Sequence, residues 1–459
     1  MHALVEIKNL SSLSEQEIVR VRGRVFSKKV HGTLLFLILR DGLHTLQVIV
    51  VKGKAVAGHA FSDSCYDELR KVENESFIEA IGIVQRTEKP VLACSQQKIE
   101  LRLIAYTLMS RATLTLPITL KETERAEVAA AIPYGKRLDN RVLDLRTRLS
   151  QAIFRVNDGM LGYIQKYLRE EEFMEIKTPK LIGGSSEGGA APFRLDYFGE
   201  PACLAQSPQL YKQMVLMGGF KRVFEIGPVF RAEHSHTTRH LTEFVGIDLE
   251  MLLDETYQEV IQLLYRLLTS LFTKLNEQYS SEIAFIQAFF HTTPLLFAPE
   301  LVALTFPEAV ALLSASGSTR GEEEDFSTEE EKQLGAIIRE QYQTDLYVVT
   351  GYPAAVRPFY TFIDPENPTY TYGYDFMLRG MEILSGAQRI HDYKLLSERA
   401  AALGIAAHTM SHYLEAFQYG APPHAGAGMG LERLLRAFLG LPDVRYSSLF
   451  PRYPKRLYP

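Results

Sequence analysis

Two charged side chains follow a strand-like apolar run in residues 224–233. Arg231 and Glu233 stand at the end of this run, separated by a single alanine. An arginine can bind a phosphate through two parallel hydrogen bonds, and a nearby glutamate can accept a hydrogen bond from an amine. The pattern predicts a site for a phosphorylated ligand that carries a base or an amine.

The loop after this run allows two kinds of chemistry. His234, His236 and His240 have a spacing that is compatible with zinc. The same loop contains Arg239 and several hydroxyl groups, which fit phosphate or nucleic-acid contacts better than a metal. Residues 244–250 then return as a second strand-like run, so the two runs and the loop could together hold a triphosphate.

A second group of polar residues lies on neighbouring strand-like runs in residues 375–389. Asp375, Glu382 and Ser385 offer oxygen ligands, which suit Mg²⁺ better than a softer metal. Arg389 is placed to bind an anion. An ion pair between the two strands is the alternative interpretation of these residues.

A glycine-rich segment at residues 422–433 ends at Arg433 and leads into an apolar helix. Glycines let a backbone approach a ligand closely, and a helix N-terminus favours anions. The segment matches neither the GxGxxG nor the Walker A pattern, so it is weak evidence by itself.

The apolar pattern predicts the elements that must position these residues. An amphipathic helix begins at Ser150, and further helices are predicted at 204–217 and 256–275. Strands alternate with these helices and carry the charged segments, at residues 222–226, 244–251, 346–350, 374–378 and 381–384.

The first 110 residues have the pattern of a small β-barrel. Five short runs alternate apolar and polar residues, and a helix-compatible stretch at 63–75 follows the third run. This is the element order of an OB-fold, which commonly binds single-stranded nucleic acid on aromatic and basic side chains. Such side chains are Arg22, Arg24, Phe26, Lys28, Lys29, Phe36 and Arg40. The alternative is a barrel whose aromatic residues only fill its core.

Composition excludes several classes of protein. The chain has 459 residues, of which 46% are hydrophobic and 23% charged, so it is neither a disordered protein nor a coiled-coil rod. A net charge of −5 argues against indiscriminate coating of nucleic acid, although it allows a local basic face. We find no long apolar span, signal peptide or cysteine framework, and therefore expect a cytoplasmic protein that contacts no membrane.

Taken together, these segments resemble the three motifs of class II aminoacyl-tRNA synthetases, subclass IIb, and among them the aspartyl enzymes of eukaryotic and archaeal type. Residues 173–181 resemble motif one, with Pro179 at the position of the dimer interface. Residues 230–248 resemble motif two and residues 430–433 resemble motif three. The HIGH and KMSKS signatures of class I are absent.

The resemblance implies an α+β fold with two domains. An OB-fold β-barrel that binds the anticodon is expected at residues 1–110, followed by a hinge or linker at 111–149. A catalytic domain with an antiparallel sheet flanked by helices is expected at 150–459.

The resemblance also implies ATP and Mg²⁺ as cofactors. Catalytic roles are implied for Arg231, Glu233 and Arg433. ATP contacts are implied for the same three residues together with His240, Phe244 and Glu382, and a Mg²⁺ site for Asp375, Glu382 and Ser385. In this assignment Arg231 holds the α-phosphate, while Phe244 and Arg433 enclose the adenine.

The implied partners are L-aspartate, tRNA(Asp) and a second copy of the chain. The implied aspartate site consists of Glu187, Gln209, Lys212, Asp248, Ser385 and Arg389. Glu187 belongs to a loop that closes over the amino acid. In the barrel, Phe36 and Gln47 are expected to contact the anticodon.

Two cations in one site explain the preference for aspartate over its neutral analogue. If Lys212 and Arg389 share one carboxylate, asparagine would leave both charges buried and unmatched. A lysyl enzyme would need acids at these two positions. A paralogue that binds without catalysis is the competing class, but such paralogues usually lose the phosphate arginines or the metal acids, and all of these are present here.

Overall fold

The computed structural model describes residues 2–56, 58–123, 132–183, 191–233, 237–318, 324–405 and 410–459. The chain divides into two compact units, Met1–Ala152 and Ile153–Pro459. In the described ranges, no helix is both long enough and apolar enough to cross a membrane.

The first unit contains a closed five-stranded barrel. The barrel strands are β1 Ile18–His31, β2 Leu34–Asp41, β3 His44–Val51, β6 Phe77–Arg86 and β7 Ile99–Ser110. Two short strands, β4 Ala55–Val56 and β5 His59–Ala60, pair with each other in a separate ribbon. The barrel order is β1-β2-β3-β7-β6, and only β3 and β7 pair in parallel. A 3₁₀ helix at Ile7–Ser12 precedes the barrel, and helix α1 at Asp63–Lys71 lies between β3 and β6. The predicted OB-fold is confirmed.

The alternation of apolar and polar residues determines which side of each barrel strand is buried. Leu35, Leu37 and Leu39 of β2 point into the core, and each buried leucine stabilises the barrel by about 2 kcal/mol. Phe36 lies between them and is only half-buried, because successive side chains of a strand point to opposite faces. Phe36 therefore belongs to the outer face of the barrel and not to its core.

Several basic residues predicted for a nucleic-acid face have structural partners instead. Arg40 is buried and donates to both carboxylate oxygens of Glu75 at 2.8 Å. Lys28 donates to the carbonyl of Arg70 at 2.8 Å and also contacts the carbonyl of Val72, at the C-terminus of α1. Burial removes Arg40 from an outer face, whereas Lys28 is half-buried and its nucleic-acid contact stays a prediction. A local pattern does not show which acids and carbonyls fold back onto a strand.

The segment predicted as a hinge contains three short helices in its described part, α2 Leu120–Thr123, α3 Tyr134–Asp139 and α4 Arg141–Asp144. Asp144 is buried, accepts from Arg137 Nε at 2.6 Å and contacts the guanidinium of Arg141. Ser150 Oγ donates to the same carboxylate at 3.2 Å. Because a buried carboxylate is stable only when it is paired, this cluster fixes the second half of the segment.

The second unit is built around two sheets. Their strands are β8 Met174–Glu175, β9 Leu181–Ile182, β10 Arg194–Tyr197, β11 Glu200–Leu204, β12 Arg222–Phe230, β13 Glu243–Leu252, β14 Ala303–Thr305, β15 Leu346–Thr350, β16 Gly373–Leu378, β17 Glu382–Gln388 and β18 His424–Gly430. The larger sheet has eight strands in the order β14-β15-β16-β17-β18-β13-β12-β8, and only the pairs β14–β15 and β12–β8 are parallel. The smaller sheet has the order β10-β11-β9.

Helices flank the larger sheet, and the helices at Gln209–Met217, Phe306–Ala315 and Leu431–Leu439 contact its strands directly. The helices are α5 Arg148–Glu170, α6 Gln209–Met217, α7 Gln258–Gln278, α8 Ser280–Phe290, α9 Phe306–Ala315, α10 Thr328–Tyr342, α11 Tyr393–Ala402, α12 Ser411–Gln418 and α13 Leu431–Leu439. Short 3₁₀ helices lie at Ala354–Val356 and Val444–Ser447. The predicted α+β class, with a mainly antiparallel sheet, is confirmed.

One predicted helix is shorter than expected. The pattern predicted a helix over 204–217, but Leu204 ends strand β11 and the helix begins at Gln209. Pro208 is the N-cap of α6, and its fixed backbone torsion suits the residue that precedes a helix. The polar stretch before it therefore belongs to a loop beside the sheet.

Candidate active site

Neighbouring strands of the large sheet align a row of functional residues. Across β12, β13, β18, β17 and β16, the register places opposite one another Glu225, Asp248, Gly428, Ser385 and Asp375. Residues opposite each other on adjacent strands point to the same face of a sheet. The fold thus brings together positions that are up to 203 residues apart in the sequence, Glu225 and Gly428 being the most distant.

A cavity of about 300 Å³ lies on this face. Gly428 keeps it open beside Asp248, because a β-carbon at that position would lie 3.1 Å from Asp248 Oδ1. Most of the predicted site residues line the cavity, namely Gln209, Arg231, Glu233, His240, Phe244, Asp248, Glu382, Ser385, Arg389 and Arg433.

Four charged residues form a compact group, which we call the charge cluster: Lys212, Asp248, Glu250 and Arg389. Lys212 Nζ donates to Asp248 Oδ1 at 3.0 Å and lies 3.3 Å from Glu250 Oε2. It also donates to the carbonyls of Ala427 at 3.1 Å and Leu249 at 3.3 Å. Arg389 donates to Glu250 through Nε at 2.8 Å and through Nη2 at 3.2 Å.

The formal charges of the cluster sum to zero, although all four side chains are almost completely buried. Burial opposes ionisation of Glu250, but the positive charges of Arg389 and Lys212 outweigh burial and lower the pKa of its carboxyl. Asp248 and Arg389 line the cavity, whereas Lys212 and Glu250 lie behind them. Lys212 already has three acceptors, so a direct bond to a ligand requires the exchange of one of them.

A second set of cavity residues, which we call the arginine group, consists of Arg231, Glu233, His240, Phe244 and Arg433. The guanidinium carbon of Arg231 lies 5.4 Å from the centre of the Phe244 ring, and Arg231 Nε is buried without a hydrogen-bond partner among the described residues. Arg433 Nη1 is 3.5 Å from a carboxylate oxygen of Glu382, which lies beside the group. A buried donor without a partner at a cavity wall suits an anionic ligand.

His240 lies within the arginine group, and it is the one histidine of the zinc alternative that the described residues include. Its Nε2 is 3.9 Å from Glu233 Oε2, and its Nδ1 is 2.5 Å from Thr237 Oγ1. Burial and then the positive charge of Arg433 lower its pKa. His234 and His236 lie outside the described residues. Within the described ranges, no group of three or more His, Cys, Asp or Glu side chains could hold a metal ion.

The three predicted magnesium residues lie close together, since Asp375 and Ser385 are register partners and Asp375 and Glu382 line one smaller cavity, but Asp375 is already paired. Glu382 and Ser385 line the cavity, but both oxygens of Asp375 accept from Arg357, at 3.2 and 2.6 Å. Burial raises the pKa of Asp375 to about 6; Arg357 opposes this rise and Glu382 adds to it. Arg357 also donates to Ser385 Oγ at 3.0 Å, so it links two of the three predicted ligands.

Sequence reasoning missed Glu250 and Arg357, although both organise the cavity. Glu250 follows Asp248 by two residues on β13, and this period-2 spacing is a signal that could have placed it on the same face. Arg357 lies in a loop before β16 and has no such signal. The aromatic ring of Tyr360, also missed, lies 5.4 Å from the guanidinium carbon of Arg389.

One residue of the predicted aspartate site, Glu187, falls outside the described residues. Pro179 is exposed between β8 and β9, near Met174 and Leu181, which are 43% and 50% exposed.

The barrel carries a separate polar site on its outer face. Gln47 Nε2 donates to Glu100 Oε2 at 3.0 Å, and the two residues are register partners on β3 and β7. Phe36 lies on the next strand, where its register partner is Ile49 of β3. Glu100 is a further residue that sequence reasoning did not single out.

A family model described as class II tRNA synthetases (D, K and N) matches residues 134–454, well over half of the chain. The chain belongs to this family. A second model, described as an OB-fold nucleic acid binding domain, matches residues 19–108 of this synthetase.

Relatives of this synthetase match it along nearly its whole length. A probable cytoplasmic aspartate–tRNA ligase of Encephalitozoon cuniculi is 45% identical over 461 residues, which cover 99% of this chain and 97% of the relative. The solved structure of an aspartyl-tRNA synthetase from Entamoeba histolytica has a TM-score of 0.89 at 38% identity and covers 99% and 92% of the two chains. An asparaginyl-tRNA synthetase from Pyrococcus horikoshii, complexed with asparaginyl-adenylate, has a TM-score of 0.85 at 28% identity and covers 97% of each chain.

Proposed function

We propose that the chain is a cytoplasmic aspartate–tRNA ligase. It activates L-aspartate with ATP to aspartyl-adenylate and transfers the aspartyl group to the 3′ end of tRNA(Asp). The charge cluster carries this proposal, because it presents Arg389 to the cavity with a second cation, Lys212, directly behind. The names and identities of the relatives support the same substrate.

The charge cluster explains how aspartate is selected. The side-chain carboxylate gains charge-assisted hydrogen bonds from Arg389 and an attractive field from Lys212, whereas a neutral amide gains neither. Asp248 accepts from the α-ammonium group of the substrate. Gln209 lines the cavity, and its Nε2 has no partner among the described residues, so the amide is available to a ligand. Glu187 is proposed to close the site from the loop that contains it.

The arginine group binds the nucleotide and stabilises the first step. An oxygen of the aspartate α-carboxylate attacks the α-phosphorus of ATP, and the bond from this phosphorus to the bridging β-oxygen breaks, which releases pyrophosphate. Arg231 stabilises the charge that develops on the α-phosphate oxygens. Phe244 stacks on adenine and Glu233 accepts from its amine. Arg433, on the other face of the base, also reaches the terminal phosphates with His240.

The oxygen donors in the cavity fit a magnesium ion that accompanies ATP. Glu382 and Ser385 would hold it, since Mg²⁺ at phosphate sites usually takes one or two carboxylates together with substrate oxygens. Asp375 would support the site from behind through Arg357. A bound magnesium ion would neutralise part of the negative charge of the ATP phosphates.

The second step and tRNA selection involve both units. The terminal ribose hydroxyl of tRNA attacks the carbonyl carbon of the adenylate, and AMP leaves. In the barrel, Phe36 stacks on an anticodon base and Gln47 reads a base edge. Glu100 fixes the orientation of the Gln47 amide by accepting from its nitrogen.

We also propose a homodimer. Pro179 is exposed, as are Met174 and Leu181 in the same stretch of the sequence, where the resemblance expects a two-fold interface. Light scattering during size exclusion should give about twice the chain mass of 51.9 kDa. The mass of one chain at micromolar concentration would contradict the dimer.

ATP–pyrophosphate exchange with each proteinogenic amino acid tests the main proposal. We expect exchange with aspartate, and subsequent charging of a tRNA(Asp) transcript. Exchange with asparagine or lysine in preference to aspartate would change the substrate assignment. The absence of exchange with every amino acid would indicate a binding paralogue.

A further inference from the structure

Helix α10 places two side chains against the loop that follows β12. Its first turn is fixed by a capping box, in which Ser327 and Glu330 bond to each other's main-chain amides. Thr328 and Glu331 are three residues apart and therefore lie on the same side of this turn. Both accept hydrogen bonds from Arg239, a residue of the loop.

Arg239 is anchored at two atoms of its guanidinium group. Nη1 donates to Thr328 Oγ1 at 2.8 Å, and Nη2 donates to Glu331 Oε2 at 2.6 Å. The carbonyl of Arg239 accepts from Arg433 Nε at 3.4 Å. Arg239 lines the cavity, and its Nε is buried without a partner among the described residues. One donor of an otherwise fixed guanidinium is therefore available to an anion.

The same oxygen of Glu331 holds a second part of the cavity wall. It accepts from the main-chain nitrogen of Glu382 at 3.1 Å, at the start of β17. Glu331 is only 7% exposed and is not among the residues that line the cavity. One buried carboxylate thus joins the loop of Arg239 to the strand of Glu382.

We propose that Glu331 is a positioning residue for the phosphates of ATP, which acts through Arg239 and through the main chain of Glu382. This inference rests on the proposed function. Its physical basis is the ion pair between two buried groups. Burial raises the pKa of Glu331 to about 7, and the positive charge of Arg239 opposes this rise, so the pairing favours the charged carboxylate. Without this partner the guanidinium of Arg239 leaves its position or binds anions in other geometries. A glutamine keeps the shape and one acceptor but removes this charge.

The test compares Glu331→Gln with the matched control Glu329→Gln, which lies in the same helical turn with its side chain 82% exposed. Pyrophosphate exchange is measured with ATP and aspartate varied separately. For Glu331→Gln we expect the KM for ATP to rise about tenfold, the scale of one lost charge-assisted contact, while the KM for aspartate stays within about twofold. For the control we expect neither constant to change.

Two further variants separate positioning from general support of the fold. In an Arg239→Met background, Glu331→Gln should add little, because its effect passes mainly through Arg239. Thr328→Val removes the other acceptor of Arg239 without burying a charge, and should raise the KM for ATP by a smaller factor even if Glu331→Gln does not fold.

The inference would be overturned if Glu331→Gln raised the KM for ATP and the KM for aspartate by the same factor. It would also be overturned if the effects of the Arg239 and Glu331 substitutions on the KM for ATP were fully additive. An unchanged KM for ATP in both Glu331→Gln and Thr328→Val would do the same. Failure of the wild-type protein to exchange with any amino acid would instead contradict the proposed function, so the two failures are distinguishable.

Discussion

The charge cluster and the arginine group line the same cavity, but their side chains are paired differently. In the charge cluster, the charged groups are buried and contact each other at 2.8–3.3 Å. In and beside the arginine group the contacts are longer: Arg433 lies 3.5 Å from Glu382, and His240, whose pKa is lowered by burial, lies 3.9 Å from Glu233. Arg231 Nε has no hydrogen-bond partner among the described residues. The charges of the charge cluster balance each other without a ligand, whereas the arginine group keeps hydrogen-bond donors that a ligand can use.

This difference agrees with the ligand that we propose for each region, aspartate for the charge cluster and ATP for the arginine group. Discrimination between a carboxylate and an amide of the same shape depends on charges that cannot relax, so the cations are held by Asp248 and Glu250. A triphosphate brings several charges of its own and can complete a partly paired site. Substitutions in the charge cluster should therefore alter stability and selectivity, whereas those in the arginine group should alter rate and nucleotide affinity.

The same substitution in the two regions gives the sharpest contrast. Glu250→Gln leaves Arg389 without its buried counter-charge, and we expect the free energy of unfolding to fall by about 3–5 kcal/mol. Glu233→Gln affects a partly exposed carboxylate, 3.9 Å from His240, and should change stability very little. Urea unfolding of both variants measures the difference, and equal destabilisation would mean that the regions are not built differently.

Arg231→Ala should produce the largest loss of activity in the arginine group. In the proposed mechanism the arginine contributes a preorganised donor to the developing charge at the α-phosphorus, so its removal should cost about 3 kcal/mol or more in activation, roughly a hundredfold in kcat/KM. The melting temperature should remain close to that of the wild type, because Arg231 forms no buried ion pair with any residue that the structure describes. Near-normal pyrophosphate exchange in the folded variant would refute the assignment.

Lys212→Met should change selectivity between amino acids. The charge cluster would pass from neutral to a net charge of −1, which disfavours a substrate carboxylate by about 2 kcal/mol and leaves asparagine much less affected. The ratio of kcat/KM for aspartate over asparagine should then fall by about thirtyfold. Exchange kinetics with both amino acids measure this ratio. An unchanged ratio would show that Lys212 does not contribute to side-chain recognition.

The sequence predicted local features well and long-range partners poorly. The barrel strands and α1 follow from short alternating runs, and Arg231, Glu382 and Arg433 could be assigned because motifs preserve their spacing. The partner of Lys212 and Arg389 could not be found in this way, because Glu250 becomes shared only after α6, β13 and β17 pack together. Period-2 spacing places it on a face but does not identify what it contacts.

The same limit applies to the basic residues of the barrel. Arg40 and Lys28 have the composition of a nucleic-acid face, yet the fold supplies internal acceptors for both. Phe36 differs from them, because its neighbours Leu35 and Leu37 occupy the core and leave it on the outer face. The prediction of an anticodon contact therefore depends on Phe36 and Gln47 more than on the basic residues.

Phe36→Ala changes a residue of the barrel, and it tests whether the charge cluster and the arginine group of the cavity then remain unaffected. Loss of one stacked base should cost about 1–2 kcal/mol, which would raise the KM for tRNA by about fivefold to thirtyfold. Pyrophosphate exchange should not change, because amino-acid activation takes place in the second unit.

Leu37→Ala is the matched control: it removes a core side chain of the same strand and should lower stability by about 2–5 kcal/mol. If Phe36→Ala destabilised the protein in the same way and lowered both reactions, Phe36 would be a packing residue and the barrel would have to bind tRNA through other side chains.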